Sequence, residues 1–520
     1  MDVRQFDPMA SPFVDRLSML ASSPRIAVED DHVQRSYIDL LERALQARAA
    51  LCQGARSLEG ERVALLLSPG TAWVEAFLGV LLAGGVALPL SPLYPPAELA
   101  WFLEDSGARR LIVSDDLAAL AAALAEHCPA APVTLRVDEL FAGPPGAGAS
   151  SAAQDHDPED GAVLLYTSGT TGKPKGALLT HSNVAVHAEL LRDAWAMTEQ
   201  DTLLHALPLH HLHGLGISLL AALSAGSRIR MLPRFDAGRI ITDIRRRAVT
   251  TFMAVPTMYQ RIFEHLDRAT DSSAFAAGAR ALRLATSGSA ALPVMLAMRW
   301  ANLTGTIPLE RFGMTEIGVG MSNPLDPTRR RAGWVGPPLP TVETRIIDDA
   351  GNPTERGPGE LWIRGPSVFK GYLGRPEATA EAFRDGWFRT GDVAERAPDG
   401  FVRLLGRTSV DILKSGGYKL SALEIEEVLR EHSAVVEVAV VGVPDEEWGE
   451  RVVAVVVPAP GREEACKTEP LRAWAKERLA FYKVPREVIA VPVLPRNAVG
   501  KVVKPDLVRA IAGGTLVRPA

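Results

Sequence analysis

Residues 162–176 read AVLLYTSGTTGKPKG, an apolar run followed by a loop of glycine, threonine and lysine. The run Ala162–Tyr166 has the length and composition of a buried strand. The next ten residues, 167–176, hold four hydroxyl side chains, three glycines and two lysines. Glycine lets the backbone approach an anion closely, hydroxyls donate hydrogen bonds to phosphate oxygens, and lysines neutralise their charge. The stretch therefore predicts a polyphosphate site at the end of a strand.

This loop differs from the Walker type, because Pro174 stands directly after Lys173, where that motif needs Ser or Thr. A flexible surface hairpin is the competing interpretation, and the density of donors argues against it. The loop residues that we predict to bind the phosphates are Thr167, Ser168, Gly169, Thr170, Thr171, Gly172 and Lys175.

On the N-terminal side of this loop, short strands alternate with helical stretches. β-branched runs at 62–67, 86–90 and 110–114 predict strands, and the Ala- and Leu-rich segments between them predict helices. This alternation predicts βα units around a largely parallel sheet. The Gly-, Pro- and Ala-rich segment 143–161 predicts a mobile linker that leads into the strand Ala162–Tyr166.

On the C-terminal side of the loop, the pattern changes twice. Closely spaced short strands between 342 and 405, separated by turn sequences such as Pro-Asp-Gly, predict a β subdomain. After Arg407 the pattern predicts a compact α+β domain, built from helices at 422–432 and 469–480 and from strands at 435–443 and 451–457.

With 520 residues, 47% of them hydrophobic and 23% charged, the chain has the composition of an ordinary globular protein. Its 56 Lys and Arg against 62 Asp and Glu leave a net charge of −6, which argues against nucleic-acid binding through a basic face. The three cysteines, Cys52, Cys128 and Cys466, are too far apart for a disulfide framework or a CxxC metal site. We therefore expect small-molecule chemistry in a reducing compartment.

The N-terminus carries acidic residues and lacks both the apolar stretch of a secretory signal and the acid-poor character of a transit peptide, so we expect a cytoplasmic protein. The most apolar long window, 74–90, is interrupted by Glu75 and by Gly84-Gly85. It predicts a buried helix that runs into a strand, without membrane insertion.

Six further motifs follow the loop. They read LPLHHLHG (207–214), GMTE (313–316), TGD (390–392), GR (406–407), SGGY (415–418) leading into EIE (424–426), and PRNAVGK (495–501). Together with TSGTTGKPKG, their content and order resemble the adenylate-forming superfamily, which contains acyl-CoA synthetases, firefly luciferase and the adenylation domains of non-ribosomal peptide synthetases. The resemblance extends over nearly the whole chain.

The resemblance implies an α/β fold with a large N-terminal domain, residues 1–407, made of two α/β subdomains and a β subdomain. A small mobile C-terminal α+β domain, residues 408–520, would carry the catalytic lysine. The resemblance also implies a ligase that uses ATP, Mg²⁺ and coenzyme A. Such an enzyme joins a carboxylate to ATP as an acyl-adenylate with loss of pyrophosphate, and then passes the acyl group to a thiol.

For the first half-reaction, the resemblance assigns roles residue by residue. Negative charge builds up on the α-phosphorus and the leaving pyrophosphate, so fixed cations are expected to carry much of the catalysis. Lys501 would contact the α-phosphate, and Glu316 would hold the Mg²⁺, since magnesium favours a few carboxylate oxygens and keeps waters. The competing interpretations are a solvated tail lysine and a helix-cap acid. The other residues expected here are Thr315, Phe312 against adenine, Gly313, Asp392 on the two ribose hydroxyls, and Arg407 on ribose or phosphate.

For the second half-reaction, the resemblance implies that the C-terminal domain rotates about a hinge just after Arg407. Lys414, Gly416 and Gly417 would line the channel for the pantetheine arm, because glycine is needed where a thin chain passes close to backbone. A surface lysine is an equal interpretation of Lys414. The segment 407–417 is one residue longer than the commonest family form, so the expected hinge falls at Ser409, with Asp411 as its competitor.

Four histidines lie close together in the chain. Clustered imidazoles are typical zinc ligands. The resemblance implies instead that His211 lines the acyl pocket and that His205, His210 and His213 are structural.

Some blocks resemble malonyl-CoA synthetases more specifically, namely FMAVPTMYQRI (252–262), SGSAALP (287–293), ERFGMTEIG (310–318) and RTSVDILKSGGYKLSALEIE (407–426). A dicarboxylate needs a cation for its non-reacting carboxylate, because a buried unpaired carboxylate is costly. Arg261 offers a bidentate fork four residues after Thr257, on one face of a helix that starts after Pro256. An exposed helix arginine is the alternative. Ser287, as a hydroxyl donor, and Met314, as a boundary, complete the predicted acyl site.

The predicted function is an ATP-dependent acid–CoA ligase that forms malonyl-CoA or methylmalonyl-CoA. The alternatives are a ligase for another short-chain or aromatic carboxylic acid, a stand-alone ligase that loads a separate carrier protein, and a nucleotide-binding relative without chemistry. The presence of Lys501, Glu316 and Asp392 argues against the last alternative.

Overall fold

The computed structural model describes residues 12–128, 132–143, 157–167, 174–268, 272–355, 357–416, 418–496 and 502–516. The predicted phosphate-loop residues 168–173, Gly417, Lys501 and most of the predicted linker, 144–156, lie outside these ranges. What the sequence predicts for them stays a prediction. Within the described ranges, the strands form four sheets.

The first sheet is built around the strand that leads into the predicted phosphate loop. Its pairs are parallel except where Lys175–Thr180 joins Gly161–Thr167 and Gly371–Tyr372, and there they are antiparallel. The strand predicted at 162–166 is confirmed. In spatial order the strands are Gly371–Tyr372, Lys175–Thr180, Gly161–Thr167, Val86–Pro89, Arg62–Leu66, Arg110–Val113 and Val133–Arg136.

Helices connect the parallel strands of this sheet, as the alternating pattern predicts. The apolar window 74–90 lies in the helix Thr71–Leu82 and the strand Val86–Pro89, and every residue of the window is buried. The prediction of a buried helix that runs into a strand is therefore confirmed. The other helices of this region are Pro12–Ser18, Tyr37–Cys52, Pro96–Ser106, Ala118–Ala125 and Val137–Leu140, with a 3₁₀ turn at Asp115–Leu117.

The second sheet contains the strand that carries the GMTE motif. Its central pairs are parallel, and its two edge pairs are antiparallel. In spatial order the strands are Gly318–Ser322, Leu309–Met314, Leu284–Ser287, Thr251–Ala254, Thr202–His205, Arg228–Met231, Ile26–Glu29 and Gln34–Ser36. The associated helices are Ala237–Arg245, Pro256–Asp267, Ser273–Arg280 and Val294–Thr304, with a 3₁₀ turn at Pro327–Arg329.

The two sheets share one core. The helix His181–Ala194 packs against strands of both sheets, and the π-helix His213–Leu220, which continues into Ala221–Ser224, packs beside it. A single buried apolar cluster extends through both sheets, from Phe13 to Val402. Residues far apart in the chain are thereby held in fixed positions at the junction of the sheets.

The third sheet is antiparallel and confirms the predicted β subdomain at 342–405. Its strands are Pro353–Thr354, Glu343–Ile347, Gly359–Arg364, Trp387–Arg396, Phe383–Arg384 and Val402–Arg407. The helix Pro376–Ala382 lies in the same stretch of chain. The short strand Gly371–Tyr372 leaves this region to pair with Lys175–Thr180 in the first sheet, which brings the β subdomain to the phosphate-loop hairpin.

The fourth sheet forms the C-terminal region. Its strand Val435–Asp445 alternates between two buried clusters, with Val440 facing one and Val441 the other, so the sheet is covered on both faces. The predicted helices and strands are confirmed with shifted ends. The strands are Tyr418–Ser421, Ile412–Ser415, Gly449–Pro458, Val435–Asp445 and Glu487–Ala490, and the helices are Ala422–Arg430, Thr468–Lys476 and Lys504–Ala512, with a 3₁₀ turn at Glu463–Cys466.

The architecture is α/β, with two α/β subdomains, a β subdomain and a smaller α+β region, as the resemblance implies. In the part of the chain that the structure describes, no helix combines the length and the apolar character that crossing a membrane requires.

Candidate active site

The phosphate-loop hairpin lies against the GMTE motif. Thr167, the last residue of the strand before the loop, pairs with Lys175, the first residue of the strand after it. The Thr167 hydroxyl is 3.4 Å from Glu316 Oε1. Lys175 Nζ lies 5.3 Å from the centre of the Tyr372 ring. Thr167, at the start of the predicted phosphate loop, therefore meets the predicted metal ligand, and Lys175, at the other end of the loop, lies over the Tyr372 ring.

Glu316 is a buried carboxylate, 5% exposed, and it accepts a hydrogen bond of 3.0 Å from the Tyr372 hydroxyl. Burial of the ring and the neighbouring Glu316 charge raise the pKa of Tyr372, which keeps its proton and stays a donor. One carboxylate beside hydroxyls fits Mg²⁺, which takes few protein oxygens and completes its shell with waters and phosphates. Thr315, next to Glu316, is half-buried and lines a small cavity with Leu212 and His187.

Asp392 and Arg407 form a cross-strand pair in the β subdomain. Their backbones are directly opposite, and Arg407 Nε lies 3.3 Å from Asp392 Oδ1. The Asp392 backbone N–H donates to the Thr390 hydroxyl at 3.0 Å, and this hydrogen bond holds the backbone of Asp392 in place. The positive charge of Arg407 also acts on Tyr372. It lowers the pKa of the phenol, whereas burial and Glu316 raise that pKa by a larger amount. The pair predicted to bind ribose therefore lies near the predicted metal ligand.

The strand Leu309–Met314 leads directly into this site. Phe312 is buried and lies opposite Met321. A Cβ on Gly313 would lie 2.4 Å from the Gly318 carbonyl oxygen, so only glycine allows the close hairpin between Leu309–Met314 and Gly318–Ser322. The predicted contact of Phe312 with adenine stays a prediction.

Of the four histidines of the 205–213 stretch, His205 and His213 are buried, and His210 and His211 are half-buried. Burial lowers the pKa of His205 to about 4, of His210 to about 3 and of His211 to about 4. His205 Nε2 lies 2.9 Å from the Gly214 carbonyl oxygen at the start of the π-helix. Across the described residues, no group of three or more His, Cys, Asp or Glu side chains is placed to hold a metal ion. The geometry therefore offers no support for a zinc site here.

Arg311, which the sequence reasoning missed, is a buried cation in the acyl region. It is 4% exposed, and its Nε and Nη2 have no hydrogen-bond partner among the described residues. The guanidinium lies against Gly288, where a Cβ would come within 2.3 Å of its Cζ. Burial lowers the pKa of Arg311 to about 9, so it stays charged at neutral pH. An unpaired buried cation is costly unless an anion joins it.

Arg311 lies beside residues that adjoin the predicted acyl-site residues in the chain, since Gly288 follows Ser287 directly. Burial is the main cause that lowers the pKa of His187 and of His213, and the charge of Arg311 is the second. The guanidinium therefore lies close to both imidazole rings. His213 Nδ1 is 3.0 Å from the hydroxyl of Ser289, which follows Gly288. A charged residue in the buried strand that leads into the GMTE motif is the signal that could have identified Arg311.

The remaining predicted acyl-site residues have different environments. Ser287 is buried at the end of the strand Leu284–Ser287, and its hydroxyl has no partner among the described residues. Met314 is half-buried in the same strand as Arg311, and His211 has a buried Nε2 without a described partner. Arg261 is exposed, because the helix Pro256–Asp267 packs through the face that carries Met258 and Ile262, and Arg261 lies outside that face. This exposure matches the alternative interpretation, an exposed helix arginine.

In the C-terminal region, the predicted residues Ser409 and Gly416 lie on turns, and Lys414 lies in the strand Ile412–Ser415. Gly416 has a φ of +56°, and a Cβ there would come within 3.0 Å of the Trp448 indole, so glycine is required. Lys414 and Ser409 are exposed. Asp411 accepts from the Arg407 backbone N–H at 3.1 Å and from buried Lys504 at 2.5 Å. The turn after Arg407 is therefore tied to the helix that follows Lys501 in the chain.

The buried histidines predict a pH dependence of stability. The unfolded chain protonates His210 near its ordinary pKa of 6.5, whereas burial lowers the pKa in the folded protein to about 3. Between these values the unfolded state binds more protons, so the free energy of unfolding falls as pH decreases below 6.5, by up to about 1.4 kcal/mol per pH unit and histidine. We expect His210→Phe to shrink the difference between the thermal midpoints at pH 5 and pH 7.

Glu310 acts in the opposite direction, because burial raises its pKa to about 8 and its protonation stabilises the fold as pH falls. The comparison with wild type cancels this contribution. His32→Gln, at an exposed histidine, is the matched control and should leave the difference unchanged. A His210→Phe protein with the wild-type difference would contradict the buried neutral imidazole.

Comparison with known proteins identifies the family. The family described as AMP-binding enzyme matches residues 20–373, and the family described as AMP-binding enzyme C-terminal domain matches residues 424–501. The first match covers the phosphate-loop hairpin, the GMTE motif and Tyr372. These matches confirm the resemblance that the motifs indicate.

Similar proteins are known in both sequence and structure. The chain is 41% identical to the mitochondrial malonate–CoA ligase ACSF3 of Mus musculus, over 95% of this chain and 89% of that protein. It is 40% identical to a malonate–CoA ligase of Arabidopsis thaliana, over 94% of this chain and 87% of that protein. Its fold matches ATP-bound MatB from Rhodopseudomonas palustris with a TM-score of 0.86 and 36% identity, over 97% of this chain and 99% of that one. The chain therefore belongs to the AMP-binding enzyme family and is an AMP-forming acyl-CoA synthetase that uses ATP, Mg²⁺ and coenzyme A.

Proposed function

We propose that this synthetase activates malonate, or its 2-methyl derivative, and transfers the acyl group to coenzyme A. The observation that carries the proposal is the buried Arg311 guanidinium, whose Nε and Nη2 have no hydrogen-bond partner within the described ranges. Both curated relatives named above are malonate–CoA ligases, which supports the same substrate.

Arg311 distinguishes a dicarboxylate from a monocarboxylate. The planar guanidinium can donate two parallel hydrogen bonds to one carboxylate, and in a buried site such a pair is strong. The carboxylate of malonate that does not react would fill this position, with the Ser289 and His213 pair beside it. A fatty or aromatic monocarboxylate would leave the cation unpaired, which is unfavourable. The proposal thus moves the anion-binding role from exposed Arg261 to Arg311.

The chemistry then proceeds in two displacements. The reacting carboxylate oxygen attacks the α-phosphorus of ATP, the bond from that phosphorus to the bridging oxygen breaks, and pyrophosphate leaves. Lys501 and Lys175 would stabilise the charge that develops on the phosphates, and Asp392 would hold the ribose. Mg²⁺ held at Glu316 would neutralise phosphate charge. In the second displacement the sulfur of coenzyme A attacks the acyl carbon as its thiol proton is lost, and AMP leaves.

We also propose that residues 408–520 form the mobile domain that carries Lys501. Within the described chain, the large buried cluster ends at Val402, and the clusters of the C-terminal region begin at Leu413. No residue belongs to both, so the two regions have separate cores. The connecting turn holds exposed Ser409, the proposed hinge. Asp411 would move with the C-terminal domain, because Lys504 binds both Asp411 and Glu426.

A separate carrier protein as acceptor and a cytoplasmic location stay predictions. The Mus musculus relative is named as a mitochondrial protein, so its name gives the cytoplasmic prediction no support.

The test is pyrophosphate release with ATP, Mg²⁺ and coenzyme A against malonate, methylmalonate, succinate, acetate, octanoate and benzoate, with the thioester identified by mass. We expect malonate or methylmalonate to be preferred over acetate, and a holo-carrier protein to replace coenzyme A poorly. Preference for acetate, octanoate or benzoate would overturn the dicarboxylate proposal.

A further inference from the structure

Tyr372 contacts two groups of the proposed ATP and magnesium site. Its hydroxyl donates to Glu316 Oε1 at 3.0 Å, and its ring face receives Lys175 Nζ at 5.3 Å. The Thr167 hydroxyl lies 3.4 Å from the same Oε1. In the part of the chain that the structure describes, the side-chain hydrogen bonds to Glu316 therefore fall on one oxygen, and Oε2 is the oxygen available to a metal ion.

The Tyr372 ring is itself held in place from several directions. Its backbone pairs with Ala177 in the first sheet, and its N–H donates to the Thr379 hydroxyl at 2.9 Å. The ring of Phe369 packs edge-to-face against it, with centroids 4.8 Å apart. Phe369 N–H also donates to the Glu316 backbone carbonyl at 2.8 Å, so the same short segment holds the backbone and the side chain of Glu316.

The chemistry of both contacts suits this arrangement, because a phenol O–H donates to a carboxylate oxygen and an aromatic ring face attracts a cation. A hydrogen bond to a charged acceptor is stronger than one between neutral groups, so its loss should have a measurable effect on metal binding.

We propose that Tyr372 is a positioning residue that orients Glu316 toward Mg²⁺ through its hydroxyl and places Lys175 beside the polyphosphate through its ring. The inference rests on the proposed role of Glu316 in magnesium binding. It gives the β subdomain a function in adenylation, since the strand Gly371–Tyr372 reaches from that region into the phosphate-loop sheet.

The test measures metal binding directly. Binding of Mn²⁺ in the presence of α,β-methylene-ATP, which cannot transfer its α-phosphate, is followed by the loss of the free Mn²⁺ resonance signal. We expect Tyr372→Phe to weaken Mn²⁺ binding by about 10-fold, as expected for the loss of one hydrogen bond to a charged group, with the KM for malonate changed less than 2-fold. Tyr372→Leu, which also removes the ring, should in addition weaken binding of the nucleotide measured without metal.

The matched control is Tyr166→Phe, which removes a hydroxyl that donates to the Asp105 carboxylate at 2.8 Å in the same sheet. Wild-type Mn²⁺ binding in Tyr372→Phe, or an equal loss in Tyr166→Phe, would overturn the inference.

Glu316→Gln distinguishes a failure of the proposed metal site from a failure of the proposed role of Tyr372. If Glu316→Gln weakens Mn²⁺ binding and Tyr372→Phe does not, only the role of Tyr372 fails, whereas unchanged binding in Glu316→Gln removes the metal site itself. Each variant must have a thermal midpoint near that of the wild type. If Tyr372→Leu unfolds, the comparison of Mn²⁺ binding between Tyr372→Phe and wild type still tests the inference.

Discussion

Replacement of Arg311 by methionine is expected to lower kcat/KM for malonate by about 100- to 1,000-fold, because a buried charge pair loses one partner. A monocarboxylate of similar size, such as propionate, should be used as well as before or better, since it has no second carboxylate. Steady-state thioester formation with both acids measures the ratio. The thermal midpoint without substrate should not fall, because the substitution removes a buried cation for which the described part of the chain supplies no anionic partner.

Arg261→Met is the matched control, because it makes the same change at an exposed position of the neighbouring helix. We expect its use of malonate to stay within about 2-fold of wild type, as is usual for surface substitutions. A large loss of malonate use in Arg261→Met together with an unaffected Arg311→Met would return the role to Arg261. Parallel losses of malonate and propionate in Arg311→Met would show that Arg311 is structural.

The second large effect concerns Lys501. Lys501→Ala is expected to lower malonyl-adenylate formation by at least about 100- to 1,000-fold, the cost typical of removing one charge contact in a transition state. Thioester formation from supplied malonyl-adenylate and coenzyme A should continue at a rate near wild type, because the proposed rotation of residues 408–520 withdraws this lysine from the site. Single-turnover assays of each half-reaction give the two rates separately.

Lys476→Ala controls for the loss of a positive charge in the same region, since Lys476 is exposed at the end of the helix Thr468–Lys476. Both half-reactions should be unchanged in that variant. An equal loss of both half-reactions in Lys501→Ala would contradict the separate use of this lysine, and with it the proposed rotation.

Most of the secondary structure follows from local pattern. The window 74–90 predicts a buried helix and a strand because apolar residues occupy every face of a segment that a glycine pair divides. The helices predicted at 422–432 and 469–480 end earlier, at Arg430 and Lys476. Neither end carries the glycine that marks a helix C-terminus in sequence, and the boundary depends on the turn that follows.

In the candidate site, some residues could be predicted from sequence and others could be identified only in the tertiary structure. Motif residues such as Thr167, Glu316 and Asp392 are predicted from sequence because their motifs resemble those of the family and their residue types suit phosphate, metal and ribose. The exposure of Arg261 could not be predicted from the sequence, because helical spacing indicates which residues share a face but not which face is buried. Arg261 shares its helix with buried residues and is itself exposed, whereas Arg311 is enclosed by strands and loops that lie far from it in the chain.

The sequence by itself determined the order of the secondary structure elements, the family and the residue types that carry the chemistry, since each depends on neighbours within a few positions. The tertiary structure decided which charges are buried and which groups meet. Tyr372 reaches Glu316 across 56 residues, and Lys504 reaches Asp411 across 93. Such contacts depend on sheet pairing and on the enclosure of a side chain by distant segments, and the periodicity of a single stretch contains no information about either.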